Sequence, residues 1–304
     1  MNFQELLKKQ KENTIETVVA AAENESRGAS YSDDNEGLWK PQVDKAGNGF
    51  AVIRFLPAPD SDIPWVKYYS HGFKGTETGK WFIEDCPTSI GKECPLCKAN
   101  SALWNSGIES DKDIARQRKR RLHYVSNILV VKDTANPENN GKVFLYKYGA
   151  KIFEKLMSVL QPAFEDEKPL DPFNLLSGAN FKVKIKQVGG YWNYDSSEFD
   201  VQSALYDGDE DSLKEVFEQL SPIQIYVSPE RYKSFTDLQS KMNNVLGLTN
   251  EAERGGASAG VVPKPPKPQK QSAPATTSPS KSSDDDDDED DDDMEYFRNL
   301  ASGL

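Results

Sequence analysis

Apolar and polar residues alternate most clearly over Phe181–Val188. Phe181, Val183 and Ile185 fall on one side of an extended chain, and Lys182, Lys184 and Lys186 on the other. Phe50–Leu56 alternates in the same way after the turn residues 46–49, and predicts a second strand. Trp65–Tyr69 and Trp81–Ile83 are strand-like, with a turn-like Ser70-His71-Gly72 after the first. Leu122–Lys132 is an apolar strand joined through residues 137–141 to Lys142–Tyr148, which predicts a long hairpin. Ile223–Val227 predicts one more short strand.

Helical spacing sets the remaining elements. Ile152, Phe153, Leu156, Met157 and Leu160 make one stripe. Ser212 and Glu215 form a capping box before Leu213, Val216, Phe217 and Leu220. Phe235, Leu238, Met242 and Val245 mark a helix within 229–246, and 98–115 is helical or irregular. Residues 3–22 carry an imperfect apolar stripe that fits either a helix docked on the body or a mobile arm contacting a neighbour. Gly189-Gly190 opens a flexible hinge bearing Tyr191, Trp192 and Tyr194. The pattern predicts a β-rich α+β protein with flanking helices.

Composition divides the chain. After Gly247 a Gly/Ala, Pro/Lys and Ser/Thr segment (251–283) is unable to bury a core, and Asp284–Asp293 is an unbroken run of acids. Residues 284–304 carry −10 of the total −12, so the remaining 283 residues carry only −2. The expected organisation is an N-terminal arm (1–37), a core (38–250), a linker (251–283) and an acidic tail (284–304). No stretch has the length of a membrane span and no signal-peptide h-region opens the chain. A soluble, intracellular protein is expected, not a secreted one.

All three cysteines lie between His71 and Cys97. Cys94 and Cys97 can present two thiolates from one knuckle, and Cys86 with His71 completes a Cys₃His set suited to tetrahedral, structural Zn²⁺. His123 is an alternative fourth ligand. A redox Cys-x-x-Cys pair or plain buried thiols are the competing readings. Four protein ligands leave no position for a reactive water, so such a metal folds the chain. No Gly-rich phosphate loop or Ser/His/Asp arrangement suggests an enzyme.

Cations and aromatics are interleaved three times. Arg116, Arg118, Lys119, Arg120 and Arg121 precede Tyr124; Lys142 and Lys147 bracket Tyr146 and Tyr148; Lys182, Lys184 and Lys186 precede Tyr191, Trp192 and Tyr194. A groove for single-stranded nucleic acid needs this combination, cations along the backbone path and rings for stacked bases. A solvated strand face over core tyrosines is the bland alternative. The acidic tail is either a solubilising segment or a polyanion mimic able to fold back on a basic groove, with Tyr296, Phe297, Leu300 and Leu304 as apolar docking points for partners. A scaffold acting mainly through that tail is the second functional reading.

The motifs AGNGFAVIRFLP (46–57), HGFK (71–74), the Cys86, Cys94 and Cys97 set, NILVVKD (127–133), PENNGKVF (137–144) and YWNY (191–194) resemble the single-stranded DNA-binding, helix-destabilising proteins of T-even-type bacteriophages. The resemblance covers roughly residues 38–200. It implies an OB-fold core with a zinc subdomain (about 64–110), cooperative coating of single-stranded DNA, and roles in phage replication, recombination and repair inside the infected bacterial cell. It also implies metal ligands at His71, Cys86, Cys94 and Cys97, DNA-facing rings at Tyr124, Tyr146, Tyr191 and Tyr194, and a tail that recruits replication proteins. The full expected DNA-binding set adds Tyr148, Arg54, Lys74, Lys147 and the run Arg116, Arg118, Lys119, Arg120 and Arg121. The chain departs from the family at its N-terminus, where Lys8, Lys9 and Lys11 replace a compact basic-then-hydroxyl motif. Lys92 and Ile114 fall where the family carries tyrosines.

Overall fold

A computed structural model describes residues 2–11 and 37–248 of the chain. The expected linker and acidic tail, with Tyr296, Phe297, Leu300 and Leu304, lie outside these residues, as does the stretch 12–36.

Nine strands form one twisted sheet: β1 (Leu38–Trp39), β2 (Gly49–Phe55), β3 (Val66–Lys74), β4 (Trp81–Asp85), β5 (Arg121–Asp133), β6 (Val143–Tyr148), β7 (Ala179–Val188), β8 (Tyr191–Asn193) and β9 (Glu198–Gln202). The hydrogen-bonded order is β1-β6-β5-β2-β7, with β8 and β9 on β7, β3 on β5, and β4 on β3. Among the described residues, only β1 and β6 pair in parallel. β5 organises the sheet because its thirteen residues serve three partners. Residues 124–129 pair β6, while 121–125 pair β3 and 128–133 pair β2 along the opposite edge. A register shift between Val52 and Ile53 bends β2 against β5.

The inner face follows from the alternation. Phe181, Val183 and Ile185 of β7 are buried with Ile53 and Phe55 of β2, Ile128 and Val130 of β5, and Tyr146 and Tyr148 of β6. Helix α4 (Ala150–Leu160) lays Ile152, Leu156 and Leu160 over this core. Lys182 and Lys184 point outward, and both reach acids on β9: Asp200 at 2.9 Å and Glu198 at 2.6 Å. On the other face of β3 and β5, Val66, Tyr68 and Val125 pack against Ile223 and Tyr226.

Several elements differ from the sequence expectation. β3 runs through the expected turn at Ser70-His71-Gly72, because β4 pairs with all of it from Ser70 to Lys74. Residues 223–227 are a 3₁₀ turn (Gln224–Val227) and not a strand. The Asp60 carboxylate accepts the Ile223 and Gln224 amides and turns a β-prone sequence. The helix expected from Ser212 begins earlier, as α5 (Glu210–Glu218), with Asp209 capping the Ser212 amide. The Gly189-Gly190 hinge is an ordered reversal between β7 and β8, with both glycines at positive φ, +59° and +92°. The region after Cys94 forms two helices, α2 (Pro95–Trp104) and α3 (Glu109–Gln117), and α6 (Phe235–Leu246) ends the described chain.

Of the two readings for the N-terminal stripe, docking on the body holds for α1 (Phe3–Lys11). Phe3, Leu6 and Leu7 are buried against Leu56, Leu129, Leu175, Leu205, Leu213 and Val216. Gln10 fixes the end of the helix: its side-chain oxygen accepts the Leu175 amide, and its carbonyl accepts Asn174 Nδ2. Leu6 is 3% exposed, so Leu6→Ala is expected to destabilise the fold by about 2–4 kcal/mol. A lower urea midpoint at unchanged denaturant slope would show this; an unchanged midpoint would mean α1 contributes nothing to the core.

A candidate metal centre beside a cationic strip

Two local structures bring the donor atoms together. The β3–β4 hairpin sets His71 opposite Glu84, and the Cys86 amide donates to Tyr69 O at 2.8 Å, so His71 and Cys86 converge at the arm's end. The other two thiols come from the start of α2, where Pro95 occupies the first helical position. Cys94 is the extended N-cap residue, and Cys97 lies in the first turn.

The four donors are buried and lie within 4.8 Å of one another. Cys86 Sγ is 3.5 Å from Cys97 Sγ, and His71 Nε2 is 3.4 Å from Cys97 Sγ and 3.6 Å from Cys94 Sγ. A tetrahedral zinc site with ordinary bond lengths has donor–donor edges of about 3.5–3.8 Å, so the set can hold a metal ion. His71 Nδ1 lies 3.2 Å from the Arg118 carbonyl. A carbonyl only accepts, so Nδ1 carries the proton and Nε2 turns its lone pair toward the sulfurs. Asn100 Nδ2 donates to the same carbonyl at 2.8 Å. The Cys94 thiol is pulled down to about 3 by hydrogen bonds from Cys86 and Cys97, then by the backbone amides of Cys97 and Leu96. Cys97 is driven in the opposite direction by the same two sulfurs, Cys86 first. Cys94 and Cys97, crowded and shifted in opposite directions, are an arrangement that a cation relieves. His123, the alternative ligand, is elsewhere: its Nε2 bonds Ser70 Oγ at 2.8 Å.

Helix α6 packs on the arm, and the segment before it ties the arm to the body. Leu238, Met242 and Val245 pack on Phe73, Phe82, Cys86, Cys94, Leu96 and Cys97. Glu84 pairs with Lys233 and Lys241, and Asp85 with Arg231 Nε at 2.7 Å. Arg231 in turn lies over the Tyr226 and Tyr68 rings.

The expected DNA-binding residues fall into three environments. Tyr124, Tyr146 and Tyr148 are inside the core. Tyr124 is stacked on Phe153 at 3.8 Å and 6°, Tyr146 is edge-on to Trp39, and Tyr148 shares a 2.8 Å hydrogen bond with Ser126. Arg54 is also fully buried, its Nη2 donating to the Asn174 and Ser203 carbonyls, and burial lowers it to about 10. Tyr194 is half-buried against the core, whereas Tyr191 is 69% exposed. Lys74, Arg121 and Lys147 are at the surface. Arg116 is exposed and paired with Glu109 and Asp113. Arg118, Lys119 and Arg120 are half-buried, with Arg118 over Phe73 and Arg120 over Tyr69. Trp192, one of the rings of the third cluster, is 46% exposed beside Tyr191. Two ring-bearing positions were absent from the expected set: Trp81, exposed on β4, and Tyr69, half-buried on β3. The alternation of Lys67 and Tyr69 across from Tyr124 and Leu122 was the available signal for Tyr69.

Comparison with known proteins agrees with the motifs. A family model described as "gp32 DNA binding protein like" matches residues 47–246. The single-stranded DNA-binding protein of Enterobacteria phage T2 is 40% identical over 262 residues, 84% of this chain and 84% of that protein. Its counterpart in Enterobacteria phage T4 is 42% identical over 242 residues, 78% of each chain.

Two outcomes follow from the site. Cys97→Ser is expected to lose the bound metal and melt at lower temperature; native melting without metal would mean the donor set is not a structural site. His123 is held down to about 4, by burial first and then by Lys147 and Arg121. Against an unfolded value near 6.5, its neutral ring contributes stability that is full above pH 6.5 and lost as pH falls through 4. His123→Gln should therefore flatten the fall in melting temperature across that window, and a variant as acid-sensitive as the parent would refute this.

Proposed function

The chain belongs to the gp32 DNA-binding-protein-like family, and from that premise we propose that it binds single-stranded DNA without sequence preference. The match to phage single-stranded DNA-binding proteins over most of both chains carries this reading. The exposed cations Lys74, Arg121 and Lys147 and the exposed rings of Tyr191 and Trp192 support it. In this reading the sheet is an OB-type barrel, and the His71, Cys86, Cys94 and Cys97 set holds one structural Zn²⁺.

Binding combines two terms. Neutralised phosphates release counterions, so affinity falls with salt. Each base stacked on a ring adds roughly 1–3 kcal/mol whatever its identity. Tyr191 and Trp192, at the tip of the β7–β8 hairpin, offer solvent-facing rings beside Lys186, with Tyr194 at its base. Tyr194 packs against the core that contains Tyr124, Tyr146 and Tyr148. Arg121, Lys147 and Lys74 supply cations, and Zn²⁺ keeps the arm that carries Lys74 and abuts the arginine run folded. Arg54 acts from inside, tying β2 to the 174 and 203 loops.

The wider reading is that copies coat the strand cooperatively in phage replication, recombination and repair, in the cytoplasm of the infected host. The acidic tail competes for the cationic strip and, through Tyr296, Phe297, Leu300 and Leu304, recruits replication and recombination proteins. No helix among the described residues is long and apolar enough to cross a membrane.

Oligo-dT binding titrated against salt, with the full chain beside a chain ending at residue 250, tests the proposal. Tight binding with a steep salt slope, tighter without the tail, is expected. Weak binding by both would remove the DNA reading and favour a scaffold acting through the tail. Tyr191→Ala is expected to weaken binding by about tenfold with melting unchanged, and parental affinity would exclude stacking at the hairpin tip.

A further inference from the structure

We propose that Asn100, which offers no donor atom to the cluster, governs how firmly the metal is held, because it fixes the Arg118 carbonyl that aligns His71. This rests on the reading of His71, Cys86, Cys94 and Cys97 as a metal site. Asn100 is 2% exposed and follows Cys97 by three residues on α2, so the two side chains leave the helix on one face. Its Nδ2 donates to the Arg118 carbonyl at 2.8 Å, and His71 Nδ1 reaches the same oxygen at 3.2 Å. A carbonyl oxygen has two lone pairs, and these two donors use both.

The backbone that carries this oxygen is otherwise loosely tied. Arg118 is the C-cap residue of α3, and the bonds that close the last turn are long. The Arg118 amide donates to Ala115 O at 3.2 Å, and the Lys119 amide to Arg116 O at 3.3 Å. Asn100 makes the shortest of the four bonds. The other end of its own amide gains nothing from burial, since Oδ1 has no hydrogen-bond partner among the described residues. An unpaired buried acceptor costs about 1–3 kcal/mol, a cost that an apolar side chain of similar size avoids. What such a side chain cannot do is hold the carbonyl. With that acceptor fixed, the His71 ring keeps its proton on Nδ1 and turns Nε2 toward Cys94 and Cys97, at 3.6 and 3.4 Å. Helix α2 thus acts on the cluster twice, directly through two thiols and indirectly on the ligand that β3 supplies. Asn100 is a positioning residue, not a ligand.

The test separates metal retention from folding. The full chain and its Asn100→Leu and Asn100→Ala variants are loaded with Zn²⁺ and mixed with excess EDTA, and metal release is followed in time. The same chains are loaded with Co²⁺ for visible absorption spectra, and each is melted without metal. Asn100→Leu is expected to release Zn²⁺ about ten- to a hundredfold faster, with shifted Co²⁺ bands and an unchanged metal-free melting temperature. Parental release and spectrum in Asn100→Leu would overturn the role of Asn100 while leaving the metal site standing. Faster release with parental Co²⁺ bands and a lower metal-free melting temperature would make Asn100 a packing residue, and would also overturn the proposal. Asn100→Ala, which adds no bulk, decides by release rate and spectrum should the leucine variant fail to fold. A parent chain that takes up neither Zn²⁺ nor Co²⁺ would overturn the metal reading itself.

Discussion

The double duty of β5 is the constraint on which the structure depends. Along one edge its first half holds β3 and its second half holds β2, while β6 covers the middle from the other side. Among the described residues, β4 pairs only with β3, and β3 joins the other strands of the sheet only through residues 121–125. The geometry of His71 relative to the core is therefore set by five residue pairs, reinforced by the α6 strap and its Glu84 and Asp85 ion pairs. The basic run enters β5 at the same place, which is why cations and metal cluster occupy one corner of the molecule.

Legibility in the sequence followed the range of the interactions. Strands β2 to β7 and the stripe of α4 were readable because alternation and helical spacing are local consequences of burying one face, whereas β1, β8 and β9 were not anticipated. The donor cluster of His71, Cys86, Cys94 and Cys97 was readable because its chemistry is specific and a knuckle is short. Elements decided by distant partners were not. Residues 223–227 have strand propensity, yet the carboxylate of Asp60 turns them; Ser212 looks like a cap, yet Asp209 takes the amide. Whether 3–11 docks was undecidable from its own stripe, since the acceptor surface comes from residues 56, 129, 175, 205, 213 and 216.

The tyrosines show the same limit at the site itself. A basic strand bearing tyrosines is compatible with rings facing solvent or core, and strand parity alone does not say which face is inside. Tyr124, Tyr146 and Tyr148 share the parity of Ile128 and therefore point inward. Arg54 is a parallel case: a cation in a strand motif reads as surface charge, but the packing of the 174 and 203 loops encloses it and supplies carbonyl acceptors. Tyr191 and Trp192 escape this because the glycine reversal carries them past the end of the core.

Arg118 separates two tasks between its backbone and its side chain. The carbonyl orients His71 and receives Asn100, while the guanidinium covers Phe73. A carbonyl is present whatever side chain occupies the position, so the metal cluster places no demand on residue identity there. The surface charge at this position is thus free to drift over generations, one substitution at a time, without passing through forms that cannot hold the arm together. Surface chemistry and foldability become separately adjustable properties at a point where they are a single peptide unit apart.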